Sequence, residues 1–324
     1  MSDSEAWRPT APLPTLRLRA QLLGLARTFF AERGVLEVDT PALVRHAVTD
    51  RHIHSASVQL PGHAVPLYLH TSPEYAMKRL LAAGSGDIFQ IAHVYRGNES
   101  GRWHNAEFTL IEWYRCGYSM TQLMAEVAQL TRTLLAMRPQ TPVEYLRYAQ
   151  AFERELGSDP LHADDAALRA LAIAHRLDTQ VARDCGRDEL LDWLMGSAVG
   201  PRLGAGGLCF VHHYPASQAA LARLDPQDAG LALRFELYSQ GVELANGFEE
   251  LCDPVQQGAR FELDRQQRML AGLVAPAIDE ALLSALAAGL PAVSGVALGF
   301  DRLLMLRLGE TSIERVLPFP LASA

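Results

Sequence analysis

Apolar and polar positions along residues 89–115 (FQIAHVYRGNESGRWHNAEFTLIEWYR) predict two strands around a long polar tip. Phe89, Ile91 and Val94 lead in, and Gly97, Asn98, Ser100 and Gly101 supply turn chemistry. Phe108, Leu110, Ile111, Trp113 and Tyr114 form the return strand. Arg96, Glu99, Arg102, His104, Asn105, Glu107 and Glu112 sit on or beside the tip, more charge and polarity than a turn needs. This hairpin is the candidate centre of the chain.

The flanking pattern is mixed helix and strand. Leu18, Leu22, Leu25 and Phe29 recur at helical spacing from Leu16, Gly34 is placed to end that helix, and residues 35–38 read as a strand closed by Thr40-Pro41. Residues 68–71 predict a short strand. Ser72, Pro73 and Glu74 then open a helix over 75–83 with N-cap, N1 and first-turn chemistry. Leu123, Val127, Leu130, Leu134 and Met137 share one face of a helix over 120–137. Residues 143–207 read as a peripheral helical subregion, with helical patterns near 164–177 and 187–198. A strand is expected over 208–214, and a second hairpin over 235–251 turns at Gln240-Gly241, with Gly247 breaking or bulging its return strand. Helices over 256–273 and 279–288, a strand over 293–298 and a helix from Asp301 complete the chain. Residues 1–14 are expected to be a flexible arm and 15–324 a single domain.

Composition narrows the classes. The 324 residues are 49% hydrophobic and 20% charged, as for a globular protein with a real core. A net charge of −8 argues against general affinity for polyanions. Four dispersed cysteines with no CxxC pair read as reduced thiols and not as a zinc site. His46, His52 and His54 lack ligand spacing and read as a polar loop. The N-terminal residues carry no secretory pattern, so a cytoplasmic location is expected. Residues 281–300 are uncharged over nearly a membrane-spanning length. Gly289 and Pro291 split them into a buried helix and a buried strand, so no membrane segment is expected. Lys78 is the only lysine beside twenty-eight arginines, which removes any Walker-type phosphate loop.

The residues themselves suggest a chemistry. Arg96 stands beside Gly97 and Arg302 follows the glycine-flanked strand that ends near Gly299, places where a guanidinium fork suits phosphate oxygens. Glu243 and Glu250 suit magnesium, and surplus acids suit a cationic small molecule. ATP with a basic small molecule is one reading, and solvated surface ion pairs are the other.

Longer strings separate these. FFAERGVLEVDTP, VYRGNESGRWHNAEFTLIEWY and SGVALGFDRLLML resemble, in order, the three signatures of class II aminoacyl-tRNA synthetases. TSPEYAMKRLL, HNAEFTLIEWY and GVELANGFEEL are similar to the lysine branch, so the likeness covers about residues 15–312. The first signature lies almost at the start of the chain. The chain therefore resembles the truncated lysyl-tRNA synthetase paralogues that modify bacterial elongation factor P, and no anticodon-binding domain is expected. The resemblance implies an α+β fold, an antiparallel catalytic sheet flanked by helices, and a homodimer formed through the first signature. It also implies activation of (R)-β-lysine by ATP with magnesium, and transfer to a lysine side chain of elongation factor P.

The site residues follow from the same likeness. Arg96 would hold the α-phosphate, Phe108 and Arg302 would sandwich adenine, and Gly97, Asn98, Asn105, Leu244 and Gly299 would line the ATP site. Glu243 and Glu250 would hold magnesium. Ser72, Pro73, Glu74, Glu112, Tyr114, Glu250 and Ala297 would surround the amino acid. Ala297 carries one methyl more than the glycine of the synthetases. The family reads Arg-Asn-Glu where this chain has Arg96-Gly97-Asn98, so the carbonyl of Asn98 is expected to replace an acid near adenine. Two rivals remain: the same chemistry with transfer RNA or ammonia as acceptor, and an inactive paralogue that binds an amino acid or a partner. The second predicts loss of Arg96, Glu243, Glu250 or Arg302, and all four are present.

Overall fold

The computed structural model describes residues 7–62 and 64–324. Its first elements are α1 (Leu13–Ala31), β1 (Leu36–Glu37), β2 (Leu43–Val44), β3 (Ser57–Val58), β4 (Leu67–Leu69), α2 (Glu74–Ala82), β5 (Ile88–Tyr95) and β6 (Glu107–Cys116). Then come α3 (Met120–Leu135), β7 (Val143–Arg147), α4 (Tyr148–Leu156), α5 (Asp165–Ala174), α6 (Thr179–Asp184), α7 (Arg187–Leu194) and β8 (Leu208–Pro215). The chain ends with β9 (Leu224–Asp225), β10 (Asp228–Ser239), β11 (Val242–Glu249), α8 (Pro254–Leu270), α9 (Glu280–Gly289), β12 (Val293–Gly299) and α10 (Phe300–Leu308). Of the arm expected over 1–14, residues 1–6 lie outside the described residues. Thr10 and Ala11 donate their backbone N–H groups to Pro318 and Leu317, and Ala11 is buried.

The chain divides into two compact units, one of residues 1–119, 129–137 and 250–324, the other of 120–128 and 138–249. In the first, β5 and β6 form the predicted hairpin, in register from Ile88 opposite Tyr114 to Tyr95 opposite Glu107. β12 pairs antiparallel with β6, and β1 adds a parallel edge to β5, so the expected antiparallel sheet is mixed. Strand alternation then sorts the side chains. Phe89, Ile91, Ile111 and Trp113 belong to one face, where Phe30 of α1 stacks on Phe89 at 4.3 Å and meets Trp113 edge-on at 5.3 Å. Phe108, Leu110, Glu112 and Tyr114 belong to the other, beside Gly299, Ala297 and Gly295 of β12.

Asp301 and Arg302, adjacent in sequence, do not form the acid–base pair that adjacency suggests. Asp301 is buried, pairs with Arg19 of α1, and accepts the Thr109 N–H at 2.6 Å. One carboxylate thus joins α10, α1 and β6 on the face opposite Glu112. Leu25, expected on the buried stripe of α1, is 45% exposed, as are Leu13 at 61% and Leu36 of β1 at 54%. No helix among the described residues is long and apolar enough to cross a membrane.

In the second unit β8 lies between β7 and β10, parallel to β7, and β10 pairs with β11 and β9. Gln240 and Gly241 turn the β10–β11 hairpin with φ of 50° and 75°, the doubly positive pattern of a tight hairpin turn. Gly247 does not bulge: it pairs in register with Phe235, and the register shifts at Leu237/Tyr238 instead. The stretch expected to be helical over 143–207 opens with a strand, β7. Its helices bury Tyr148, Phe152, Leu168, Leu190, Leu191 and Leu194 in one core with Cys209, Val211 and Tyr214 of β8 and Tyr238 of β10.

Candidate active site

The carboxylates of Glu74, Glu112 and Glu250, the hydroxyls of Ser72 and Tyr114, and the ammonium of Lys78 converge at the C-terminal half of β6. Glu112 is 2% exposed, and its two oxygens accept from the hydroxyls of Ser72 at 2.7 Å and Tyr114 at 2.9 Å. Ser72 also accepts the Glu74 N–H at 3.0 Å. It therefore starts α2 and fixes Glu112 with the same oxygen, although Pro73 occupies the formal cap position without a side-chain hydrogen bond.

Glu250 joins from the segment after β11, where its N–H donates to Val293 of β12. Its Oε2 lies 2.7 Å from Lys78 Nζ, while Oε1 has no hydrogen-bond partner among the described residues. Gly295 makes room for this arrangement. A Cβ there would fall 2.6 Å from Glu250 Oε1 and would overlap the Tyr114 ring. The glycine is needed for clearance, since Tyr114 lies directly across β12.

Burial dominates the electrostatics. It raises the Glu112 carboxyl to about 7, with the charge of Glu74 adding to the rise and the two hydroxyl donors opposing it. Burial likewise raises Glu250 to about 8, against the pull of Lys78. The Tyr114 phenol is pushed well up, first by burial and then by Glu112. For Lys78, burial disfavours the ammonium, but the charges of Glu250 and Glu74 outweigh it and hold the amine above its usual range. A buried pocket whose acids resist ionisation is one that gains when a cation arrives.

The tip of the hairpin carries the second group. Arg96 donates to the Thr71 carbonyl at 3.4 Å, lies 3.3 Å from Glu99, and holds its guanidinium 5.1 Å from the Phe108 ring. Glu99, one place beyond the position where an acid is expected, is thus paired with the arginine. Asn98 is exposed and makes no side-chain hydrogen bond among the described residues, leaving its carbonyl available. Gly97 uses its N–H on the His54 carbonyl at 2.7 Å.

Arg302 donates to the Trp103 carbonyl and lies 2.6 Å from His104 Nε2. Burial and the neighbouring arginine lower His104, which suits a neutral ring accepting that N–H. Asn105 is engaged at both ends, donating to the Glu107 carbonyl at 2.7 Å and accepting the Leu321 N–H at 3.1 Å. Phe108 and Ala297 both pack against Ala92, Val94 and Leu110, and Ala297 is the register partner of Glu112. Gly299 precedes α10 in extended conformation.

The structure therefore brings Ser72, Glu74, Glu112, Tyr114 and Glu250 together, and places Arg96, Phe108 and Ala297 along the same sheet face. Glu243 and Leu244 lie on β11 of the second unit, Glu243 half-buried and Leu244 buried. Lys78 is the pocket residue that the sequence reading leaves out. Its signal is present there: it stands four residues after Glu74 on a helix, a spacing at which opposite charges meet.

Comparisons with known proteins bear on this geometry. A family model described as tRNA synthetases class II (D, K and N) matches residues 7–323. The elongation factor P–(R)-β-lysine ligase of Klebsiella pneumoniae subsp. pneumoniae is 47% identical over 323 residues, covering 98% of this chain and 98% of that protein. Proteins of the same name from Salmonella dublin and Salmonella typhimurium are each 48% identical over 323 residues, with the same coverage.

Proposed function

This chain belongs to the class II tRNA synthetase family and, within it, to the group of elongation factor P–(R)-β-lysine ligases; from that premise we propose that it activates (R)-β-lysine with ATP and joins it to a lysine side chain of elongation factor P. The observation that carries the reading is the buried acid pocket, in which Glu112 and Glu250 are each 2% exposed and Glu250 Oε1 accepts no hydrogen bond among the described residues. Buried acids of this kind favour a cationic ligand strongly, because its ammonium groups replace both lost solvent and protons.

In the first step the substrate carboxylate attacks the α-phosphorus of ATP and pyrophosphate leaves, giving an acyl-adenylate. Arg96, held against Phe108, would neutralise the α-phosphate as charge builds there. Phe108 and Arg302 would bracket adenine, and the free carbonyl of Asn98 would accept from its amino group. Gly97 and Asn105 are committed to His54 and to the chain at Glu107 and Leu321, so they would shape the tip more than touch the nucleotide. In the second step the acceptor amine attacks the acyl carbon and AMP leaves. No enzyme nucleophile is needed; the residues bind and orient.

Glu250 Oε1, without a hydrogen-bond partner among the described residues, suits a magnesium ligand, a role that the family likeness gives to Glu243 as well. Magnesium bound with ATP offsets phosphate charge. The apolar exposure of Leu13, Leu25 and Leu36 around the first signature supports a homodimer, and the family reading carries a cytoplasmic location with it. The direct test is ATP–pyrophosphate exchange with α-lysine and both enantiomers of β-lysine, followed by mass analysis of elongation factor P. Exchange with (R)-β-lysine and a matching mass gain are expected. Absence of exchange with every lysine isomer overturns the reading, and efficient charging of transfer RNA would redirect it to another acceptor.

A further inference from the structure

The only lysine of the chain is also one of its most buried side chains, 1% exposed. Its ammonium lies 2.6 Å from Glu74 Oε1 and 2.7 Å from Glu250 Oε2. An ion triad of this kind is weak evidence for stability, because desolvating its members offsets much of their attraction. What distinguishes this one is where it sits. Ser72 ties Glu74 to Glu112 through one hydroxyl, Tyr114 donates to Glu112, and the Tyr114 ring and Glu250 Oε1 both border the space that Gly295 keeps open. Lys78 closes that ring of contacts by joining Glu74 to Glu250.

Three carboxylates therefore share one pocket with a single internal ammonium, so that two negative charges are left over once a cationic ligand draws all three into the ionised form. We propose that Lys78 is a positioning residue that sets the charge of the amino-acid pocket: it holds Glu74 and Glu250 in place and cancels one of the three acids. The pocket then matches a ligand bearing two ammonium groups and discriminates against ligands bearing one. The proposal rests on the reading of this pocket as the amino-acid site. Lysine in place of arginine suits the task, since a compact ammonium can take two carboxylates from one point without the planar demands of a guanidinium.

The test measures binding by calorimetry in metal-free buffer without ATP, so that phosphate and magnesium do not enter the charge count. The probes are (R)-β-lysine, the same β-amino acid lacking the terminal ammonium, and 6-aminohexanoate, which lacks the β-amino group. Wild type is expected to prefer the diammonium ligand over either single-ammonium probe by about a hundredfold. Glu74→Gln, which keeps the lysine and lowers the excess charge, narrows that preference by about tenfold or more. Lys78→Met weakens diammonium binding by about tenfold, and adding Glu74→Gln to it restores affinity to within about threefold of wild type.

Exchange assays on the same variants should show the loss in KM, with kcat nearly unchanged. A lysine that serves only to hold the fold predicts the opposite for the double variant, which would bind worse than either single change. That result, or an unchanged preference in Glu74→Gln, overturns the proposal while leaving the function intact. Wild-type protein that activates no lysine isomer overturns the function instead, and wild-type protein that binds all three probes equally overturns the charge rule.

Discussion

Replacing Glu112 with glutamine separates what the pocket costs the empty protein from what it contributes to the ligand. The carboxyl is raised from 4.5 to about 7, with burial as the main cause. A raised acid favours the fold while it is protonated. Its contribution is complete below the unfolded value and is lost as pH rises through the folded one. Every pH step of one between those two values is worth about 1.4 kcal/mol, so from about pH 5.5 to about pH 8 the ligand-free wild type should lose about 2 kcal/mol that the glutamine variant keeps. Glutamine fits the site, because its amide offers an acceptor to one of the Ser72 and Tyr114 hydroxyls and a donor to the other. The assay is urea unfolding of both proteins across that range without ligand. Ligand affinity should move the other way. The substrate ammonium groups need the ionised acid, so KM for the amino acid should fall roughly tenfold from about pH 6 to about pH 8 in wild type and by less in the variant, where only Glu250 still responds. If the stability difference between the two proteins stays flat with pH, Glu112 is already ionised in the empty pocket, and the argument that burial primes it for a cation fails.

Other residues make separate demands. Gly295→Ala places a methyl into the Tyr114 ring and beside Glu250; about 1–3 kcal/mol of stability should be lost in urea unfolding, with pyrophosphate exchange falling much further than that loss explains. Arg96→Ala should keep the fold and lower exchange by about a hundredfold or more at saturating amino acid, a loss in kcat that marks transition-state charge. Ala297→Gly should improve α-lysine activation relative to β-lysine, at about 0.5–1 kcal/mol of stability for a glycine in a strand; an unchanged ratio of kcat/KM values removes the Ala297 methyl from the specificity argument. Asp301→Ala removes the carboxylate partner of Arg19, which keeps only the Thr109 hydroxyl, and the acceptor of the Thr109 N–H; it should cost about 3–5 kcal/mol in unfolding, whereas the change in the amino-acid KM should be small because Asp301 lies across the sheet from Glu112.

Much of the fold is legible locally. The β5–β6 hairpin can be read because alternation, turn residues and apolar runs all lie within one short stretch. The capping chemistry of Ser72 can be read for the same reason, and only the family likeness adds Glu112 beside it. What is not legible depends on distant chain. Adjacency matches Asp301 with Arg302, yet its partner Arg19 stands 282 positions away. Strand β7 gives little apolar signal, since its side chains are exposed or half-exposed, and it is a strand because β8 runs beside it. In the sequence Lys78 stands out only as the lone lysine, outside any phosphate loop. Its pairing with Glu74 is readable from helical spacing, but its second partner, Glu250, is brought in by the β12 connection that follows much later in the chain.

The pocket and the hairpin tip are two ends of one strand, and this bears on how the enzyme measures its substrate. Side chains on one face of a strand advance about 6.6–6.8 Å every second residue, so Phe108, Leu110, Glu112 and Tyr114 span about 20 Å. In the proposed reading the nucleotide lies at the Phe108 end and the amino-acid cation at the Glu112–Tyr114 end, which makes β6 a ruler for an extended acyl-adenylate. The neighbouring strand β12 sets how close the ligand can lie to that ruler. Its register partners are Gly299 opposite Leu110, Ala297 opposite Glu112 and Gly295 opposite Tyr114. Two of these three have no side chain, and the third raises the floor by one methyl at the step of Glu112 itself. In the proposed reading a methyl there narrows the floor beside Glu112, where α- and β-isomers present their amino groups at different carbons. The charge of the pocket, set on α2, and the shape of its floor, set on β12, are therefore separable. Substitutions at Lys78 and Glu74 should change how many ammonium groups are preferred, while Ala297 should change which carbon may carry one.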